Sequence, residues 1–118
     1  MTPMRTGFYD LSSLLKIQSA SGKRYLEFLR IPPMSAGIYV LPAGGADPQK
    51  PHSQDELYYV IKGKARFKAG DEDREVSSGS LIFVATNLEH RFYDISEDLE
   101  VLVFFAPASE QVRDDSEI

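Results

Sequence analysis

The sequence predicts an all-β domain, and three observations carry this prediction. Short runs rich in β-branched and aromatic residues follow one another closely between residues 56 and 105, as is typical of strands. Gly63, Gly70 and Gly79 separate several of these runs, and no long helical periodicity lies between them. The chain has 118 residues, which suits one domain. About six to eight strands at this spacing indicate an antiparallel sandwich or a small barrel.

The first part of the chain is predicted to hold one helix and two strands. Residues 10–16 can begin a short helix with Asp10 or Ser12 as its N-cap, and the glycine-containing turn that follows ends it. Residues 25–31 and 37–41 have the composition of strands. The two prolines between these strands lack N–H donors and favour a bend.

The rest of the chain is predicted to be a loop followed by closely spaced strands. The Gly- and Pro-rich run from 42 to 51 is the loop, and it leads to His52. Strands are predicted over residues 56–62, 64–69, 74–76, 80–85, 90–95 and 99–105.

We expect one domain in three parts. An N-terminal segment with packing strands covers residues 1–35, and a β-barrel covers residues 36–107. The acidic tail over residues 108–118 is expected to be mobile, because it holds few apolar residues among polar neighbours.

Composition excludes several classes of function. The chain has 13 Lys plus Arg against 18 Asp plus Glu, a net charge of −5, which argues against nucleic acid or an anionic membrane as the main partner. Cysteine is absent from the sequence, so disulfides, thiolate metal sites and cysteine nucleophiles are excluded. No apolar run reaches the length of about 18 residues that predicts a membrane span. We expect a cytoplasmic protein whose partners are small molecules or proteins.

Charged residues alternate along one predicted hairpin. Basic residues stand at positions 62, 64, 66 and 68, and acidic residues follow at 71, 72, 73 and 75, across the turn at Gly70. The basic strip could suggest phosphate binding. Pairing of opposite charges across the two strands is the simpler explanation and predicts a solvated face.

The residues best suited to chemistry are two histidines and one carboxylate. His52 and His90, the only histidines in the sequence, each begin a predicted strand after a turn-rich segment, and Glu56 follows His52 after three residues. Two imidazoles and one carboxylate suffice for a three-ligand metal site with open positions. Residue types alone favour the plainer interpretation of surface or hydrogen-bonded core histidines, and the spacing changes this balance.

Two segments around these residues resemble the two-part signature of the cupin superfamily, a family of small β-barrels. The first family motif is G-x5-H-x-H-x3-4-E-x6-G, and His52, Glu56 and Gly63 stand at its spacing. The second is G-x5-P-x-G-x2-H-x3-N, and Gly79 and His90 stand at its spacing. The resemblance spans residues 45–94 and implies a cupin-type double-stranded β-helix (jelly-roll) barrel with a short N-terminal helical segment.

The resemblance also implies a metal site, and the departures from the motif limit it. His52, Glu56 and His90 match three of the family's four usual metal ligands, while Lys50 stands where the fourth ligand is histidine. Fe, Mn, Ni or Zn would suit such a set. Ala85 and Asn87 replace the second motif's Pro and Gly, and Asp94 replaces its Asn, with no ligand role assigned.

Two residues near the motif keep alternative roles. An alignment that makes His52 the first motif histidine puts Gln54 at the second, but it requires a deletion before Glu56, and Gln54 could still coordinate or orient a water. Lys50 would oppose a divalent ion by charge repulsion, or hold an anionic substrate if turned away, or be a solvated loop lysine.

Strand alternation predicts the lining of the pocket. If Glu56 faces inward, Tyr58 and Val60 share its face, and His90 brings Phe92 and Asp94 inward. These residues would either line a cavity for a small organic ligand or simply form the barrel core. If the chemistry needs a general acid or base, Tyr58 and Glu56 are the candidates that alternation offers, and Tyr58 alone among the aromatic candidates carries a hydroxyl.

Residues 80–85 and 99–105 carry apolar side chains on both faces, more than one barrel interior requires. The N-terminal segment or a second subunit must cover the outer face, and the resemblance to cupins favours a homodimer.

Two functions and a weaker third follow. The first is a cupin that binds one divalent metal and acts on a small organic molecule as an oxygenase, isomerase or lyase. The second is a non-catalytic cupin that binds or senses a small ligand with a degenerate metal site. The third is a structural protein whose barrel mediates assembly, which would leave two His and one Glu buried at a cost.

Overall fold

A computed structural model describes residues 5–108 and confirms the all-β jelly-roll prediction with one short N-terminal helix. The predicted acidic tail lies outside the described residues except for its first position. The elements are helix α1 (Leu11–Ser21) and strands β1 (Tyr25–Ile31), β2 (Met34–Leu41), β3 (Asp55–Ala69), β4 (Glu72–Ser77), β5 (Leu81–Val84) and β6 (His90–Ala106).

The strands form one antiparallel sheet that wraps around the core. The order along the sheet is β1-β2-β6-β3-β4, and β5 also pairs with β3. Strand β3 is central to this arrangement: β6 follows one of its edges, while the other edge is shared between β5 and β4. Residues of β3 therefore face the interior from the middle of the sheet, which is where the polar site is found.

Strands β3 and β6 are each longer than the sequence predicts. The runs 56–62 and 64–69 form one strand, and the runs 90–95 and 99–105 form another. Gly63 lets β3 bend without breaking, because its φ is 107° and a Cβ there would lie 2.3 Å from the Asp98 carbonyl oxygen. The register between β3 and β6 shifts around this position, as in a β-bulge.

Helix α1 covers one part of the outer face of the sheet. Asp10 caps its start, as one of the two predicted N-caps, and Gly22 ends it with a left-handed φ of 69°. The helix packs on β1 and β2, and Ala36 and Ile38, on the face opposite Tyr39, are fully buried. It has 11 residues, and no helix within residues 5–108 is long and apolar enough to cross a membrane.

The interior has an apolar part and a polar part. From residue 52 to residue 60 every second side chain is buried and the others are exposed, as the alternation predicts. The apolar part holds Phe67 and Phe92, whose ring centroids lie 4.7 Å apart. Phe92 also packs against Tyr58, with centroids 5.5 Å apart, so Phe92 takes part in the core, one of the two alternatives that the sequence left open for it.

The prediction that Asp94 faces inward is wrong. Asp94 has a φ of 48°, which interrupts the alternation of β6. Its side chain is exposed, and Ile95 is buried instead at 4% exposure.

The charged hairpin is a solvated face, as predicted. Lys64 lies 3.6 Å from Glu75 and Arg66 lies 3.2 Å from Asp73, and all four side chains are open to solvent, with exposures of 38–61%. These pairs join β3 to β4 across the turn at Gly70.

Candidate functional site

Hydrogen bonds hold together the two chain segments that carry the predicted metal ligands. The Asn87 amide donates to the His52 carbonyl at 2.6 Å, and the Thr86 amide donates to Asp55 Oδ1 at 2.9 Å. Asn87 has a φ of 62°, a left-handed conformation that asparagine tolerates. The turn that leads into β6 is therefore fixed against the chain that leads into β3.

Glu56, Tyr58 and His90 form one buried cluster inside the barrel, with exposures of 2%, 0% and 4%. Glu56 Oε2 lies 3.0 Å from His90 Nε2. The Tyr58 hydroxyl lies 2.8 Å from Glu56 Oε1 and 3.0 Å from the same histidine nitrogen. The sequence placed Tyr58 and Glu56 on one face, and the structure brings both to His90.

The loop before β3 adds two side chains that sequence reasoning missed. Gln49 Oε1 lies 2.9 Å from the Tyr58 hydroxyl and 3.1 Å from His90 Nε2. The Gln49 side-chain amide donates to Asp47 Oδ2 at 2.5 Å. Asp47 also accepts hydrogen bonds from the Phe92 amide at 2.9 Å and from the Tyr39 hydroxyl at 2.5 Å.

A count of protons shows that this cluster has more acceptors than donors. His90 Nδ1 donates to the Leu88 carbonyl at 2.6 Å, so Nε2 of the neutral ring is an acceptor. It faces Glu56 Oε2 at 3.0 Å and Gln49 Oε1 at 3.1 Å, which are acceptors too. The Tyr58 hydroxyl has one proton to share among them. A cation at Nε2, either a proton or a metal ion, would balance the cluster.

The pKa shifts in the cluster have clear physical causes. Burial lowers the pKa of His90, but the hydrogen bond and charge of Glu56 outweigh it, so this pKa is raised above its ordinary value. Burial raises the pKa of Tyr58 well above its ordinary value, and the nearby Glu56 adds to the shift. Burial and then Asp47 raise the pKa of Tyr39. Both tyrosines therefore act as neutral donors.

His52 lies next to this cluster. It is 7% exposed, its ring centroid lies 6.2 Å from that of His90, and it packs edge-on against Phe105 at 5.3 Å. Within residues 5–108, no three His, Asp or Glu side chains are arranged as a metal-binding group. The structure thus joins Glu56 and His90 directly and leaves His52 a short distance away.

The two residues with alternative roles are placed differently from each other. Gln54 is 3% exposed, and its Oε1 has no hydrogen-bond partner in the described part of the chain. Lys50 is exposed, in agreement with a solvated loop lysine and not with a residue that lines the interior. The neighbouring residue, Gln49, supplies the side chain that reaches His90.

The donor atoms around His90 Nε2 are of the types that divalent cations bind. Nitrogen and oxygen acceptors converge on His90 Nε2 with too few protons between them, and a buried amide oxygen at Gln54 stands unpartnered among the described residues. Separations of about 3 Å are those of ligands that share one ion through bonds of about 2.1 Å. A surface cavity of about 320 Å³ borders His90 and is lined by Lys68, Gly70, Glu89 and Arg91.

Comparisons with known proteins agree with this fold. The family model described as Cupin domain matches residues 37–105. An uncharacterized protein of Streptomyces coelicolor is 46% identical over 99 residues, which is 84% of this chain and 94% of the relative.

Solved structures show the same fold at low identity. A Thermus thermophilus protein has a TM-score of 0.69 at 23% identity and covers 86% of this chain and 97% of its own. A Methanocaldococcus jannaschii protein with a double-stranded β-helix fold has a TM-score of 0.67 at 20% identity, covering 91% and 93%. The DMSP lyase of Ruegeria pomeroyi has a TM-score of 0.66 at 19% identity, covering 78% and 55%.

Proposed function

The chain belongs to the cupin family, and from that premise we propose that it binds one divalent metal ion through His52, Glu56 and His90 and acts on a small organic molecule. Cupins often bind metals and generally take small-molecule ligands. The observation that carries the proposal is the excess of acceptors around His90 Nε2, where Glu56 Oε2 approaches to 3.0 Å. A divalent ion satisfies such a cluster with one charge centre.

Each residue has a distinct role in this proposal. Glu56 supplies the anionic ligand, and His90 supplies a nitrogen whose orientation is fixed by the hydrogen bond from Nδ1 to the Leu88 carbonyl. His52 supplies the second imidazole. The Tyr58 hydroxyl donates a hydrogen bond to Glu56 Oε1. It is the group best placed to hold or pass a proton beside a bound substrate.

The identity of the metal divides the reaction classes. Zn or Mn would supply Lewis-acid chemistry for an isomerase or lyase, Ni would suit the same ligands, and Fe would support oxygenase chemistry. With each of these metals the protein would supply the same surroundings. The site is buried, and burial strengthens electrostatic interactions with the reacting molecule.

The first experiment is elemental analysis of the untagged purified protein by mass spectrometry. We expect near-stoichiometric Fe, Mn, Ni or Zn, and its loss in both His52→Ala and His90→Ala. Asp73→Asn is the matched control, because Asp73 is an exposed carboxylate in the hairpin and should leave the metal content unchanged. If no metal is bound even after loading with each of these ions, the metalloenzyme proposal is wrong.

A second candidate is a non-catalytic cupin that binds or senses a small ligand. Lys50 stands at the motif position of a ligand histidine, and Glu56 raises the pKa of His90, so a proton at Nε2 would balance the cluster without a metal. Gln49→His separates the two, because Gln49 is the loop residue whose side chain reaches His90. A sharp rise in metal affinity from a negligible baseline favours the binding module, whereas tight binding by the native protein favours the metal centre.

We also propose that the protein forms a homodimer through an apolar strip on the outer sheet face. Leu57 pairs with Phe83 and Tyr59 pairs with Leu81 across β3 and β5. Phe83 and Leu81 are 65% and 69% exposed, and helix α1 packs on β1 and β2 instead. A second copy of the strip is the apolar surface that would complement it.

Light scattering tests the homodimer. At micromolar concentration we expect the mass of a dimer for the native chain and of a monomer for Phe83→Glu. Phe8→Glu is the matched control, since Phe8 is 94% exposed and lies outside the strip. A monomeric native protein would show the dimer proposal to be wrong.

A further inference from the structure

We infer that Gln49 is a fourth metal ligand through Oε1, and that Asp47 is the positioning residue that presents this oxygen to the ion. The inference rests on the proposed function, since it concerns the same metal site. In this arrangement the Gln49 side chain, one residue before Lys50, takes the place of the missing ligand histidine. Gln49 meets Tyr58 and His90 inside the barrel, whereas Lys50 is exposed.

Asp47 fixes which end of the Gln49 amide faces the cluster. A carboxylate oxygen only accepts hydrogen bonds, so the Gln49 atom that lies 2.5 Å from Asp47 Oδ2 must be the NH₂ group. The other end, Oε1, therefore faces His90 Nε2 at 3.1 Å. The amide orientation, which is usually ambiguous, is settled here by the charge of its partner.

Asp47 is itself held firmly by groups outside the cluster. The Phe92 amide donates to Oδ2 at 2.9 Å, and the Tyr39 hydroxyl donates to Oδ1 at 2.5 Å. Tyr39 is fully buried. The carboxylate is thus anchored to two strands, β2 and β6, and its two remaining hydrogen bonds are with Gln49, from the backbone amide at 3.2 Å and from the side-chain amide. This is the arrangement expected of a group that orients a metal ligand.

With a neutral His90, the placement of Gln49 Oε1 is unfavourable unless a proton or a metal ion lies between it and His90 Nε2. An amide oxygen and an imidazole nitrogen that both accept hydrogen bonds repel each other at 3.1 Å. The Tyr58 hydroxyl can donate to Gln49 or to Glu56, but not to both with its single proton. A metal ion between these atoms turns the repulsion into shared coordination.

An amide oxygen in place of an imidazole also changes the preference for metals. Carbonyl oxygen is a harder donor than imidazole nitrogen, so a set of two His, one Glu and one Gln suits Mn²⁺ relatively better than a set of three His and one Glu. Gln49→His should therefore raise the affinity for Ni²⁺ by a larger factor than the affinity for Mn²⁺.

The test measures Mn²⁺ affinity of the metal-depleted full chain by competition with a chelator. We expect Asp47→Asn, which alters a partner of the ligand, to weaken Mn²⁺ binding by about tenfold, within the range for such partners, and Gln49→Leu, which removes the ligand itself, to weaken it by a larger factor of about 100. Asp47→Asn has the smaller effect because the asparagine retains one acceptor oxygen. Lys50→Met is the matched control in the same loop, and its affinity should stay within about twofold of the native value.

A spectroscopic readout separates ligation from a merely structural role. In the Cu²⁺-loaded protein, electron paramagnetic resonance counts the nitrogen ligands through their hyperfine splitting. We expect Gln49→Leu to change the g values while the nitrogen count stays the same, because an oxygen ligand is lost. His90→Ala should reduce the nitrogen count by one. Circular dichroism checks that each variant is folded, and Gln49→Asn, shorter by one methylene, replaces Gln49→Leu if that variant does not fold.

The outcomes distinguish the two levels of the proposal. Native protein that binds Mn²⁺, with unchanged affinity and unchanged g values in Gln49→Leu, overturns the role of Gln49 while the metal site stands. Weakening in Gln49→Leu without weakening in Asp47→Asn overturns the positioning role of Asp47. Native protein that binds none of the tested ions overturns the metal site and the ligand role together.

Discussion

Two tyrosine-centred networks on the same pair of strands, β3 and β6, differ in charge balance. On the outer face, Arg66 donates to the Tyr93 hydroxyl at 3.1 Å, and Tyr93 donates to Asp73 of β4 at 2.5 Å. In the interior, the Tyr58 hydroxyl lies 2.8 Å from Glu56 and 3.0 Å from His90. The exposed network contains a guanidinium for its carboxylate, whereas the buried network has acceptors that need an added cation.

The network around Tyr93 has balanced charges within the protein, whereas the network around Tyr58 lacks a cation. Arg66 is charged at every pH of interest and balances Asp73. Water can reach the remaining polar atoms of Arg66 and Asp73, because their side chains are 40% and 38% exposed. Glu56 and His90 are almost fully buried, so water cannot complete their network and an unpaired group there is costly.

Removal of the basic partner should break the two networks to different degrees. We expect His90→Ala to lower the free energy of unfolding by about 3–5 kcal/mol, because it leaves Glu56 buried without its partner. Arg66→Ala should shift the urea midpoint little, since exposed pairs contribute little. Urea denaturation in the presence of a chelator measures both. Equal shifts for the two variants would contradict the proposed difference.

Removal of the tyrosine hydroxyl should also destabilise the protein more at Tyr58 than at Tyr93, by a smaller margin than removal of the basic partner. Tyr58→Phe keeps the ring in the core but takes the hydroxyl donor from Glu56 and Gln49, and we expect a loss of about 1–3 kcal/mol. Tyr93→Phe removes a hydroxyl whose partners can turn to water, so its loss should be the smaller of the two. Thermal and urea unfolding of both variants check the order, which a larger loss in Tyr93→Phe would reverse.

The smallest expected effect concerns the pKa of Asp73. The hydrogen bond from Tyr93 and then the charge of Arg66 hold the pKa of this carboxyl below its ordinary value. Its stabilising contribution is therefore present above the unfolded pKa and is lost as pH falls through the folded pKa. In an NMR titration we expect Tyr93→Phe to move the pKa of Asp73 upward. An unchanged pKa in that variant would remove the hydroxyl as the main cause.

Much of the fold could be predicted from the sequence. The strand over residues 25–31 is placed with its observed bounds, and Asp10 is found at the helix N-cap. Errors arose where a strand bends instead of ending. Gly63 was interpreted as a break, but it is a bend within β3. A single glycine is compatible with both, and the close approach of Asp98 decides between them.

The candidate site could be predicted in part. Motif spacing pointed to His52, Glu56 and His90, and alternation placed Tyr58 beside Glu56. Alternation failed at Asp94, because a local change of φ turned the side chain outward. The roles of these residues in metal binding and catalysis stay predictions.

The local features follow from the sequence alone: most of the strands along the chain, the alternation over residues 52–60 and the two histidines that follow turns. Which loop side chains reach these histidines depends on the tertiary structure. Gln49 contacts His90 across 41 residues of sequence, and Asp47 contacts Phe92 across 45. Loops lack a period that would fix the direction of their side chains. The orientation of the Gln49 amide depends on the Asp47 carboxylate, which β2 and β6 hold in place. These contacts form only when the barrel folds.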